Sequence, residues 1–185
     1  MNGRAIVTMA LAVMATVAVV QLGAQTAAPA RGPENAALQI EAFLDFEAES
    51  SARVSVVLQA LTDQEPDRVR LTFRHLPASS NDVPPAHLAA AAADAQGRFW
   101  EMASVLFANR DRHKPADLSG MAAQIGLDTR RFAADLEAPA TRAAIEADLE
   151  RAKELGVTTA PTIVANGSVL STRLNLEDLR ALIPQ

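Results

Sequence analysis

An α/β fold, ordered β-α-β, then a helical block, then β-β-α, is what the patterning of this 185-residue chain predicts. Three observations point to it. Apolar residues alternate over Leu38 to Phe46 and again over Val69 to Phe73, with a helix-spaced segment between them. The pattern then stays helical from Pro84 to Leu155, and it returns to short strands on either side of an Asn166-Gly167 pair.

The elements follow in order. In the first thirty residues Arg4 is the only charge, and Ala5 to Val20 is an apolar run broken only by Thr8 and Thr16. With the small residues from Gly23 to Ala30, this predicts a secretory signal peptide over 1–30. Adding Gln21 to Ala24 brings the run to about the 20 residues that span a bilayer, so membrane attachment through residues 5–24, as a retained N-terminal anchor, is the alternative. Both place the folded domain, 31–185, in the periplasm or another extracytoplasmic space, secreted or anchored. Thr26 to Asn35, rich in Ala, Pro and Gly, is expected to be a linker.

Leu38, Ile40, Ala42, Leu44 and Phe46 make the apolar face of a first strand. Val54, Val57, Leu58 and Leu61 place a helix from near Ser50 to about Thr62, and Val69, Leu71 and Phe73 a second strand, whose crossover favours parallel pairing. Pro84 and Pro85 open an alanine-rich helix through Ala95, and Phe99, Met102, Ala103 and Leu106 mark the next. Helices from about Asp117 to Ile125 and from Asp128 to Leu136 each begin with an aspartate suited to an N-cap. A long helix over Thr141 to Leu155 stops at Gly156. Two short strands, Thr162 to Val164 and Ser168 to Leu170, make a hairpin around Asn166-Gly167. The last helix, Leu176 to Ile183, has Asn175 as cap and Asp178 three residues on, an analogue of the capping box.

Composition narrows the functions. Removing the first thirty residues takes the net charge from -5 to -6, which argues against nucleic acid and anionic lipid as partners. Aromatic residues are only 4%, so no stacking platform for bases or sugars is expected. Export normally goes with disulfides, yet the chain has no cysteine, so its stability must come from packing. His75, His87 and His113 match no metal-ligand spacing, so neither a metal nor a cofactor is expected. His75 is expected to be structural, Phe99 and Trp100 to be core, and the acidic residues of Ala144 to Glu154 to form a solvated face.

Several strings, in order, resemble the DsbA-like family of thioredoxin-fold proteins: Asp45-Phe46, FRHLP at Phe73 to Pro77, GRFWEM and LFAN within Gly97 to Asn109, IGLD at Ile125 to Asp128, and LGVTTAPT with NG within Leu155 to Gly167. The resemblance covers Leu38 to Ile183 and implies a thioredoxin-like fold with an inserted helical subdomain over about 84–155. It also implies a protein-disulfide oxidoreductase ancestry, with a first segment of the form DFxCPxC. The degenerate CxxC positions here are Ala48, Glu49, Ser50 and Ser51, so the first cysteine is replaced by Ala48 and the second by Ser51. Thiol-disulfide exchange needs a thiolate nucleophile, which a methyl group or an ordinary hydroxyl does not supply. Redox catalysis is therefore not expected and no catalytic residue is assigned.

The resemblance further implies that Pro161 follows a cis peptide bond and that Thr159, Ala160 and Pro161 border a groove for an extended peptide. A redox-inactive protein that binds a polypeptide or partner protein is the first expectation. A non-redox enzyme on the same fold, similar to the glutathione transferases and using Ser51 or Ser50, is the alternative. In that alternative the serine would be a nucleophile or thiol ligand; in the other reading Ser50 or Ser51 is a helix N-cap, with Glu47 and Glu49 favourable at the positive helix end.

Overall fold

The computed structural model describes residues 27–78, 82–170 and 175–184. The segment expected to be a signal peptide or anchor, 1–26, lies outside them. The elements are β1 (Ala30–Arg31), β2 (Leu38–Leu44), α1 (Glu49–Gln64), β3 (Val69–His75), α2 (Pro85–Asp94), α3 (Phe99–Ala108), α4 (Pro115–Gln124), α5 (Thr129–Leu136), α6 (Pro139–Glu154), β4 (Thr162–Ala165), β5 (Ser168–Leu170) and α7 (Leu176–Ala181). This is the thioredoxin-like α/β fold with a helical insertion.

The five strands form one sheet in the order β1-β3-β2-β4-β5. β2 and β3 are parallel, with Ile40 opposite Leu71 and Leu44 opposite His75. The other pairs are antiparallel. Because side chains alternate along a strand, each face takes one set. Leu38, Ile40, Ala42, Leu44, Val69, Leu71 and Phe73 enter the main core with residues of α1, α3 and α7. Phe43 and Val164 point to the opposite face, where they pack with Ala152 of α6 and with Leu76 and Val157. α2, almost wholly buried through its run of alanines, lies inside the helical insertion and lets α3, α5 and α6 approach closely.

Several expected caps hold. Asp128 accepts from the Arg130 and Arg131 N–H groups at the start of α5, and Asn175 and Asp178 form a complete capping box on α7. At the β4–β5 hairpin Asn166 and Gly167 have φ of 45° and 81°, the paired positive angles of a two-residue type I′ turn.

Four expectations need correction. The stretch expected to be a linker contains β1: Ala30 pairs with Thr72, and Pro29 O accepts from Phe73 N–H, so the sheet begins before residue 31. A two-residue edge strand carries no periodicity to reveal it. Asp117 is not an N-cap, because α4 starts two residues earlier at Pro115, whose fixed φ suits the first helical position; Asp117 pairs instead with Arg112 at 2.9 Å. Trp100 is only half-buried, since it sits at the edge of α3 under the guanidinium of Arg31. Asp148 is not part of a solvated face: α6 lies against the sheet there, and the residue is 2% exposed.

Candidate functional site

The topology brings three loops to one end of the sheet. Strand β4 runs opposite to β2, with Phe43 beside Thr162, while β3 runs alongside β2. The residues leaving β2 (Asp45 to Ala48), those leaving β3 (Leu76 to Ala78) and those entering β4 (Thr159 to Pro161) therefore share an edge. The two halves of the expected site are brought together in this way.

The first half is a turn organised by Asp45. Its Oδ1 accepts from the Glu47 N–H at 2.9 Å, and its Oδ2 from the Ala78 N–H at 3.1 Å, which fastens the β2 and β3 loops to each other. Helix α1 starts at Glu49 with Ala48 as N-cap and no side chain capping it. Ser50 and Ser51 are thus inside the first turn, and the expectation that either is the N-cap is corrected. The helix begins early because the Asp45 to Ala48 turn, not a serine, directs the chain into it. Ser51 is fully buried, and its Oγ accepts the Asp45 N–H at 3.1 Å. Burial and this hydrogen bond hold the hydroxyl inside the turn. Glu49 is exposed and pairs with Arg53 one turn on.

The second half is the Thr159 to Pro161 loop. The Ala160–Pro161 peptide bond is cis, Thr158 and Thr159 are exposed, and Ala160 and Pro161 are half-buried. Thr162 Oγ1 donates to Thr159 O at 2.6 Å, holding the loop at its entry to β4. Next to it a groove of about 410 Å³ runs between the Leu76 to Ala78 loop and α6. Leu76, Pro77, Leu149 and Val157 make its apolar floor, and Glu146, Glu150 and Lys153 its rim.

Behind Asp45 lies a buried polar chain that sequence reasoning missed. His87 Nε2 is 3.3 Å from Asp45 Oδ1, and His87 Nδ1 is 2.9 Å from His75 Nδ1. If Nε2–H of His87 donates to the carboxylate, its Nδ1 accepts from His75, so one neutral tautomer of each ring satisfies both contacts. Burial drives the His75 ring well below the usual histidine range, helped by His87, and burial also lowers His87 against the opposing pull of Asp45. Burial alone would raise Asp45, but the hydrogen bonds from His87, Glu47 and Ala78 more than offset it and hold the carboxyl low. On the other side His75 N–H donates to Asp148 Oδ2 at 2.9 Å, and Arg74 Nη1 reaches Asp148 Oδ1 at 2.9 Å. Burial lifts the Asp148 carboxyl to about 6 despite these partners. Arg74 and Arg151 both reach Glu41, so β2, β3 and α6 are joined by one ionic cluster.

His75 is structural, as its place in the FRHLP string suggested, since it is walled in by Phe46, Phe73 and Phe99. The partners in this chain are 42, 12 and 73 residues apart, so no local motif signals them. Among the described residues no group of three or more His, Asp or Glu is placed to hold a metal ion. Nor is any helix among them long and apolar enough to cross a membrane.

Comparison with known proteins agrees with this architecture. A thioredoxin-like oxidoreductase from Silicibacter pomeroyi superposes with a TM-score of 0.75 at 26% identity, over 84% of this chain and 90% of that one. The thiol-disulfide exchange protein alpha-DsbA2 from Wolbachia pipientis superposes with a TM-score of 0.75 at 18% identity, over 84% and 85% of the two chains, which is a likeness of fold. A Na(+)/H(+) antiporter NhaA of Herminiimonas arsenicoxydans is 33% identical over 153 residues, 83% of this chain and 24% of the antiporter. The chain thus spans about a quarter of the length of the curated relatives it matches. The sequence profile of the family described as Thioredoxin matches residues 25–185, so this chain belongs to the thioredoxin family, as a member with no cysteine whose fold is like that of the DsbA-type neighbours.

Proposed function

We infer that this protein is a redox-inactive thioredoxin-fold binder, exported from the cytoplasm, that holds an extended polypeptide or a partner protein at the Asp45–Pro161 edge. The observation that carries this reading is the groove next to the Thr158 to Pro161 loop, of mixed polar and apolar lining, where Leu76, Leu149 and Val157 lie beside Glu146, Glu150 and Lys153. Thr158 lines the groove, and Thr159, Ala160 and Pro161, which follow it in the chain, border the groove in this reading. Ala48 carries a methyl group and Ser51 a buried, hydrogen-bonded hydroxyl at the positions of the missing cysteines, so the edge has no nucleophile for thiol exchange. The same burial counts against the glutathione-transferase-like alternative through Ser51. The antiporter activity named for the curated relatives is not carried over, because this chain corresponds to only 24% of those proteins.

The test is titration with an unfolded, cysteine-blocked polypeptide, followed by calorimetry. Leu149→Glu, half-buried in the floor of the groove, should weaken binding about tenfold, the effect of losing one well-placed apolar contact. Val56→Ser, on the exposed side of α1, should leave it unchanged. Equal binding by the Leu149 variant would move the site elsewhere.

A further inference from the structure

A second cavity lies on the other face of the sheet from the groove beside Pro161. It encloses about 450 Å³ between β2, β3, α1 and α3. Its walls are Leu44, Leu58, Leu71, Phe73 and Phe107, and such a volume with mostly apolar walls is in the range that holds a small molecule. A single cationic group stands among these walls. Arg31, on edge strand β1, lines the cavity with its guanidinium 4.5 Å from the centre of the Trp100 ring.

Among the described residues no carboxylate pairs directly with Arg31 in this position. Among the described residues its buried Nε–H has no hydrogen-bond partner. Asp63 on α1 acts on it only through space. Glu101, the acidic residue at the rim, is taken up by Arg98 at 3.3 Å. The cavity therefore offers apolar walls and one unsatisfied, stacked cation at its edge. We propose that it binds a small amphipathic monocarboxylate, the carboxylate pairing with the Arg31 guanidinium at the cavity edge and the hydrocarbon lying against Leu58, Leu71 and Phe73.

The proposal is independent of the polypeptide reading, since it uses the opposite sheet face and none of the same residues. The chain has one tryptophan, and it is Trp100, so its fluorescence reports occupancy directly. Decanoate, added to the purified protein below its micelle-forming concentration, should change that fluorescence saturably, with calorimetry giving the affinity. Arg31→Gln should weaken decanoate at least tenfold and leave 1-decanol unchanged, while Arg31→Lys should recover part of the loss. Ser55→Phe, projecting from the half-buried side of α1 into the cavity, should abolish binding of both probes. No saturable change with decanoate overturns the proposal, and so does equal affinity for decanoate and 1-decanol. Unaltered decanoate binding in folded Arg31→Gln or Ser55→Phe protein overturns it as well.

Discussion

Ala48 and Ser51, the positions at which the family resemblance expects cysteines, sit at the start of α1. Ala48 is the N-cap of α1 and half-buried, and Ser51 is the third helical residue and wholly buried. A thiol at position 48 would face outward at the positive helix end, and a thiol at position 51 would sit beneath it. The double change Ala48→Cys and Ser51→Cys should therefore give a pair that oxidises to a disulfide in the folded protein, because positions three apart at a helix start lie within bridging range. Thiol counting before and after mild oxidation checks this, and two persistently free thiols in folded protein would refute the register. The thiol introduced by Ala48→Cys should also have a depressed pKa from the helix dipole, so it should alkylate well below the pH at which a free cysteine does. Ser51 carries a second lesson. Its hydroxyl accepts the Asp45 N–H, so the residue at the old cysteine position now helps close the turn.

At the scale of the element, β1 is short and yet decides where the domain begins. Gly32 follows it with φ of 86°, and a Cβ there would collide with Val69 O, on the backbone of the neighbouring strand. Both the angle and the contact exclude a side chain. Gly32→Ala should cost about 1–3 kcal/mol through forced backbone strain, measured by urea unfolding, with loss of protection at the Phe73 N–H that bonds to Pro29 O. A neutral result would mean that β1 contributes nothing to the sheet. Helix α6 differs in kind, because it reaches the sheet through charge as well as packing. Ala152 packs with Phe43 and Val164, while Asp148 and Arg151 engage Arg74 and Glu41. The result is one helix face on which apolar Ile145 and Ala152 flank the ionic Asp148, so no simple apolar stripe marks its buried side.

Across the whole molecule, stability should carry the sign of the buried titratable groups. His75 and His87 are held neutral, below the unfolded histidine value of 6.5, so the unfolded chain takes up their protons first. The stability they support is fully present above about pH 6.5 and is lost as the pH falls below it. Asp148 has the opposite sign. Its folded value of about 6 lies above the unfolded 3.8, so its protonation favours the fold below 3.8 and that advantage is lost as the pH rises through 6. Between pH 6.5 and 5 the histidines dominate, two groups against one, and urea denaturation should show stability falling with acid. Asp148→Asn removes the compensating group and should steepen that fall by up to one proton's worth of slope. An unchanged slope would show that Asp148 does not titrate in this range.

Much of the fold was legible because periodicity is local. Alternation in Leu38 to Leu44 and Val69 to His75, the Asn166-Gly167 turn, and the caps at Asp128 and Asn175 each follow from residues within one element. The family resemblance was legible for the same reason, as short strings in a fixed order. The total lack of cysteine, a fact of composition, excluded thiol chemistry before any fold was known. That no serine caps α1, which acid of α6 is buried, and which histidines meet were settled only by the packed molecule. Those outcomes depend on contacts between residues tens of positions apart, where burial and the geometry of facing elements outweigh local preference. The lack of cysteine and the order of the short strings are written in the chain; the Asp45–His87–His75 chain, and the Arg31 cavity across the sheet, exist only once β1, β2, β3 and the helices that cover them have come together.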